Sequence, residues 1–449
     1  MKKSLLCLAM VAVIAAGAPV GAEICTIDDV PAATLLLPYF EVDLDDTAGV
    51  TTLFSVNNAS ASAAVAHVTL WTDESVPTLD FDIYLTGYDV QTINMRDIFN
   101  GILPRTADDG ADSGIPPGDS VSPQGSLSQD INFPGSTGPC GAPATVYEAA
   151  PTPELSASII AHIRAAHTGN SSPVYGACSG LNYGDNIARG YATVDTVTQC
   201  NLEFPSSAGY FTGVADFRNI LWGDYFYVDN ANNFAQGETL VHIEACSIPS
   251  VGQGADDCPF ITGDYTFYGR YVAGAGTDQR EPLASNFATR FLNGGGFDGG
   301  TDLIVWRDNT LPLGALTHSC VTGRFSWVPL NQADVVAFDE VENPQDLCFQ
   351  GDNVSPPTGG AETCFPVEAQ RVNLILSNVP FGATPAPSAT FGWMFLNLNT
   401  TVAGSVFPGR AQAWVTTVMN AEGRYSVGYD AIKLDTMCDN LLGGVLLLP

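Results

Sequence analysis

Along residues 51–99 apolar and polar positions alternate with the period of two that a half-buried strand requires. In the stretch 79–86, Leu79, Phe81, Ile83 and Leu85 share one face, and Asp80, Asp82 and Thr86 share the other. Before it, Ala64, Ala66, Val68 and Leu70 point one way and His67, Thr69 and Trp71 the other, after a turn signal at Asn57-Asn58-Ala59-Ser60. A strand over 51–56 precedes them. A fourth, over 88–95, changes parity between Val90 and the Ile93/Met95 pair, which predicts a bulge or an edge position. Short strands at this cadence predict a mostly β protein built as an antiparallel β-sandwich.

The rest of the chain repeats the theme. The apolar run 32–42 contains Pro38, which bars it from the centre of a sheet and predicts an edge strand, with Thr34 to Val42 open to self-association by strand donation. Residues 105–151 are dense in Gly, Pro, Ser and Asp without periodicity, a long loop or linker that divides an N-terminal sandwich portion (23–104) from a second β-rich region (152–449). One helix is expected near 153–168: Thr152, Pro153 and Glu154 supply a cap, a first-turn proline and an acid, and Leu155, Ile159, Ile163 and Ala166 form one stripe. Strand-like runs return at 191–197, 225–229, 239–245, 265–272, 303–306, 372–376, 390–398, 411–419 and 425–434. The 51–99 block resembles immunoglobulin-like or fibronectin-type sandwiches in cadence. That resemblance covers about a tenth of the chain, lacks a Cys-Trp-Cys signature and implies no functional residue.

The N-terminus changes the picture. Met1-Lys2-Lys3, an apolar run to Ala16 and the small-residue end Val20-Gly21-Ala22 are the parts of a secretory signal peptide spanning 1–22, so the expected location is secreted, periplasmic or at the cell surface. The formal charge is −32, and loss of Lys2 and Lys3 makes it more negative, which argues against nucleic acid as a partner. A surface glycan or another protein is the expected partner class. No later segment has the roughly 18 apolar residues of a transmembrane helix. Of the eleven cysteines, Cys7 lies in the leader, and the even remainder in an exported chain argues for disulfides. Short loops suggest Cys246 with Cys258, Cys178 with Cys200, and Cys348 with Cys364. Cys25 and Cys438 would then tie the ends and leave Cys140 with Cys320.

Candidate chemistry is sparse. Gly176-Ala177-Cys178-Ser179-Gly180 has the outline of a nucleophile elbow but loop-like flanks, which favours a disulfide cysteine. His162 and His167 are five apart on the expected helix, about 140 degrees round it, and so cannot form a zincin pair. Asp80 with Asp82, and His242 with Glu244, each share a strand face and are the candidates for acid–base work, the first as a glycosidase-like pair. Their alternative reading is a solvent-facing polar surface. Acidic loops at Asp43, Asp45 and Asp46, at Asp108, Asp109 and Asp112, and at Asp298 and Asp302 are candidates for Ca²⁺. Leu70-Trp71-Thr72-Asp73, Leu221-Trp222-Gly223-Asp224 and Val305-Trp306-Arg307-Asp308 recur at unequal spacing and read as strand ends. Together these favour a structural or binding role over the alternative, a secreted carbohydrate-active enzyme using paired carboxylates.

Overall fold

The computed structural model describes residues 30–104, 131–132, 134, 154–207, 209–245, 266–272, 278–308, 317–320, 334–347, 364–375, 386–399 and 411–435. The leader, the acidic loop at Asp108, Asp109 and Asp112, and Cys25, Cys140, Cys246, Cys258, Cys348 and Cys438 lie outside the described residues.

Four antiparallel sheets carry the fold. The first runs β11 (Val241–Ile243), β1 (Thr34–Asp43), β7 (Ile187–Val197), β3 (Ala64–Thr72), β4 (Pro77–Leu85) and β6 (Ile131–Asn132). The second runs β10 (Phe234–Thr239), β9 (Asp224–Asp229), β2 (Thr51–Asn58) and β5 (Val90–Asn94), with β8 (Leu221–Trp222) also on β2. The third is β15 (Pro344–Asp346), β14 (Asp334–Asp339), β17 (Phe391–Asn397), β12 (Asn286–Leu292) and β20 (Ile432–Lys433). The fourth is β16 (Ala369–Asn373), β13 (Gly300–Asp308), β18 (Gln412–Ala421) and β19 (Tyr425–Asp430). The helices are short: α1 (Met95–Phe99), α2 (Ala157–His167), α3 (Tyr210–Gly213) and α4 (Gly269–Val272).

Leu303-Ile304-Val305-Trp306 explains how the sheets stack. Strand β13 is buried along its whole length, and a run without polar alternation is what burial on both faces demands. Leu303 and Val305 enter a core with Phe287, Phe291, Met394 and Leu396 of the third sheet. Ile304 and Trp306 enter the other core, with Leu36, Val68, Phe81 and Tyr191 of the first. The fourth sheet is therefore shared between two hydrophobic cores. The free edges of the second and fourth sheets also meet, where Ser426 donates to the Ala235 carbonyl (2.8 Å) and Asn233 to that of Gly423 (2.7 Å).

Several expectations are corrected. Strand β1 is internal, with β7 along one side and β11 on Thr34–Leu36 of the other, because its register shifts between Leu37 and Phe40 and so puts Pro38 in an irregularity. With β7 on one edge and β11 on the Thr34–Leu36 part of the other, strand donation through Thr34 to Val42 is left without support. The first sheet also crosses the expected boundary at 105–151, since β7 pairs with both β1 and β3 and β11 extends the same sheet. Helix α2 starts later than expected, at Ala157, capped by Ser156, whose hydroxyl accepts from the Ile159 amide (3.4 Å). Its stripe is as expected, with Ile163 and Ala166 buried and Ile159 packed on the core. The helix sits close to β7 because Gly190 has no side chain: a Cβ there would lie 2.9 Å from His167 Nδ1 and 2.1 Å from the Trp71 carbonyl. Within 265–272 the chain forms α4 instead of a strand.

Cysteine pairing differs as well. Cys178 is bonded to Cys320 across 142 residues, so neither Cys178–Cys200 nor Cys140–Cys320 forms. A reciprocal backbone pair between Cys178 and His318 (3.1 and 2.8 Å) seats the bridge. Cys200 and Cys364 are also disulfide-bonded. Alkylation of the native protein without reductant is expected to leave Cys178, Cys200, Cys320 and Cys364 unlabelled in peptide mapping, and stoichiometric label on any one of them would contradict this framework.

Candidate functional site

The alternation that groups Asp80, Asp82, His67, Thr69 and Trp71 on one face of the first sheet is correct, yet that face does not meet water. Asp82 and His67 are 0% exposed and Asp80 is 3% exposed. His67 Nδ1 lies 2.7 Å from Asp82 Oδ1, whose other oxygen accepts the Asn201 amide (2.9 Å). Asp80 Oδ2 is 3.9 Å from His67 Nε2. Burial disfavours a charged imidazole, but the hydrogen bond to Asp82 and the charges of Asp82, Asp80 and Asp195 outweigh it and raise the His67 pKa. Burial lifts Asp80 to about 6, with Asp82 adding and His67 opposing.

The same face continues into a buried ionic cluster formed by residues far apart in sequence. Asp195 accepts from Thr34 (2.5 Å), Tyr210 (2.7 Å) and Tyr268 (3.0 Å), and lies 3.5 Å from the Arg280 guanidinium. Arg280 also bonds Thr34 and pairs with Asp278 at 3.0 Å. A second cluster joins the sandwiches. Arg270 bridges Asp308 (3.1 Å) and Glu368 (2.8 Å), and Glu368 accepts from Ser75, which Tyr191 bonds in turn. Ser75 has a left-handed backbone (φ 57°), a conformation costly for a residue with a Cβ and held here by those bonds. The Trp-Asp strand ends take part: Trp71 stacks on Tyr191 (5.8 Å), Tyr191 meets Trp306 edge-on (6.0 Å), and Asp308 belongs to the Arg270 cluster. Arg371 adds a further tie, from Asp302 (2.6 Å) to Glu41 (2.5 Å).

The remaining candidates are also engaged. His242 and Glu244 sit at β11, with β1, β7 and β3 between them and β4, a distance of about 19 Å at ordinary strand spacing, so the two pairs are not brought together. Glu244 is buried beside Glu281, whose carboxylate accepts the Glu244 amide (3.2 Å). In the first acidic loop the carbonyls of Asp43, Asp46, Gly49 and Val50 all accept from the Arg96 guanidinium (2.5–2.9 Å), and Asp43 Oδ1 caps the amides of Asp45 and Asp46. Asp298 pairs with Arg424 at 2.6 Å, and Asp302 with Arg371. Among the described residues no three His, Cys, Asp or Glu side chains are grouped as a metal site needs. The two helix histidines diverge, His162 to Ser172 (2.6 Å) and His167 to Thr78 (2.7 Å).

An accessible concave surface lies elsewhere, on the outer face of the second sheet. A groove of about 650 Å³ is floored by Leu53, Ser55 and Asn57 of β2 and Val90 and Thr92 of β5, with Trp222, Asp224 and Phe226 alongside; α1 and residues 102–104 form its wall. The register builds this floor, since Phe226, Leu53 and Asn94 align in one row and Trp222, Asn57 and Val90 in another. Trp222 and Phe226 remain 43% and 45% exposed. Phe226 lies across Gly237, where a Cβ would come within 2.3 Å of its ring. The volume falls within the ~300–1,000 Å³ of small-ligand pockets. Sequence reasoning gave β5 a bulge or an edge position and missed the groove. The signal was there in the run of large side chains Trp222, Phe226, Val90 and Ile102 left on outward positions.

Compared with known proteins, the chain matches no protein-family model and no curated sequence.

Proposed function

We propose that the chain is an exported, disulfide-braced binding protein that presents the β2–β5–β9 groove to a ligand. The observation that carries this reading is the groove itself: exposed aromatic rings and a few polar groups converging on a sheet whose far side is anchored in a large core. The leader-like N-terminus and the cysteine framework support a location outside the cytoplasm. The enzyme alternative draws no comparable support, because Asp80 and Asp82 lie under side chains that a substrate would have to displace. A thermal-shift screen of chemically diverse small molecules is expected to give stabilising ligands whose effect disappears in Thr92→Trp, an exposed floor position where indole fills the groove. Ligands that stabilise wild type and Thr92→Trp equally would place binding elsewhere and defeat the proposal.

A further inference from the structure

The polar atoms of the groove are arranged to accept. Ser55 donates its hydroxyl hydrogen to Asp224 Oδ1 (2.7 Å), so its oxygen is left to receive the Asn57 side-chain amide (2.9 Å). That chain of two bonds fixes the orientation of Asn57 and leaves Asn57 Oδ1, on a residue 1% exposed, as a buried acceptor with no partner. Gln91 likewise spends its amide on the Thr92 carbonyl (2.8 Å). Among the described residues, the two charged side chains of the lining are carboxylates, Asp97 and Asp224, and no Lys, Arg or His lines it. Arg96, next to Asp97, has its guanidinium committed to the carbonyls of the 43–50 loop.

Each feature restricts the occupant. The carboxylates of Asp97 and Asp224 can accept from a donor that the ligand brings. Two carboxylates with no cationic side chain beside them in the lining among the described residues, in a chain of formal charge −32, repel anions and concentrate cations. Leu53, Val90, Ile98, Ile102, Leu103 and Pro104 offer hydrocarbon contact that a polyhydroxylated ring would use poorly. The exposed faces of Trp222 and Phe226 attract a cation further. Resting on the groove being a binding site, we propose that it takes a cationic ligand with an apolar body: a protonated amine on an aliphatic or aromatic frame.

Three probes with one body and different heads test this: 4-phenylbutylamine, protonated at neutral pH, 4-phenylbutan-1-ol and 4-phenylbutyrate, titrated calorimetrically into the full mature chain. The amine is expected to bind about ten-fold more tightly than the alcohol, and the carboxylate more weakly than either. Asp224→Asn should bring the amine to the level of the alcohol without changing the alcohol. Asp97→Asn, at an exposed helix position, reads the same direction if Asp224→Asn fails to fold. Thr92→Trp should weaken all binding. Alcohol or carboxylate binding as tightly as the amine, and sensitive to Thr92→Trp, overturns the cationic assignment while the groove stands. Amine binding indifferent to Thr92→Trp and to both Asp variants is diffuse attraction to an acidic surface and overturns the groove reading as well. So does absence of binding by all three up to about 10 mM.

Discussion

Arg280→Leu is expected to lower the free energy of unfolding by about 3–5 kcal/mol at neutral pH, the cost of breaking a buried ion pair by removing one partner. Leucine fills part of the volume but leaves Asp195 and Asp278 buried without the cation that faces both. In the wild type, burial works against the guanidinium charge, and the two carboxylates overcome that and raise its pKa above the ordinary arginine value. Urea denaturation of both proteins at pH 7 measures this. A loss under about 1 kcal/mol would mean the cluster is hydrated, not sealed.

The second large effect concerns His167. Its Nδ1–H donates to the Arg189 carbonyl (2.8 Å) and its Nε2 accepts from Thr78 (2.7 Å), between the rings of Phe40 and Phe99. Burial is the main cause that lowers its pKa from 6.5 to about 3, with the hydrogen bond to Arg189 opposing and the charge of His162 adding. The unfolded chain therefore binds the extra proton between pH 6.5 and 3, and this residue alone makes stability fall on acidification, by about 4–5 kcal/mol over the full window. Asp80 acts in the opposite sense. Its folded pKa of about 6 means the folded state holds the proton between pH 6 and the ordinary carboxylate value, contributing about 3 kcal/mol on acidification. The two slopes oppose between pH 6 and 4, and the histidine wins below that. His167→Gln, which keeps a donor and an acceptor, should remove that acid sensitivity and leave only His162, whose pKa burial also lowers, acting in the same sense, so the variant gains stability relative to wild type as pH falls. Parallel stability–pH curves for the two proteins would show that His167 is not the acid-sensitive group.

The strand pattern of 51–99 was legible because period-two alternation is a local property: β2, β3 and β4 fall close to where the sequence puts them, and the broken parity near Val90 marks the edge strand β5. Alternation reports which residues share a face, not what covers it. Asp80, Asp82 and His67 look like a wet surface, but cover comes from Asn201, whose amide donates to Asp82, and from the Tyr210 ring beside His67, about 120 to 140 residues further on, which no local window contains. Charge scarcity was a usable hint. With 16 basic residues against 48 acidic ones, each arginine is in demand as a counter-ion, and Arg270, Arg280 and Arg371 all answer to buried acids. Cysteine spacing was a poor guide, because Cys178 and Cys320 meet through tertiary packing across a long loop. Nor does Pro38 exclude an internal strand when the register is irregular around it.

The order of strands in the first sheet sets a timetable for folding. Strands β3 and β4 form a hairpin from adjacent residues, and β1 precedes them, yet the strand that joins β1 to β3 is β7. A chain that emerges N-terminus first cannot join these pieces into one sheet until Val197 has emerged. The fourth sheet waits longer, because β13 pairs with β16 and with β18, which ends at Ala421. Closing loops of this length before the rewarding contacts form is slow, and the apolar strands stay exposed meanwhile. The shared central sheet that makes the finished molecule one body thus also makes its two halves depend on the last strands to arrive.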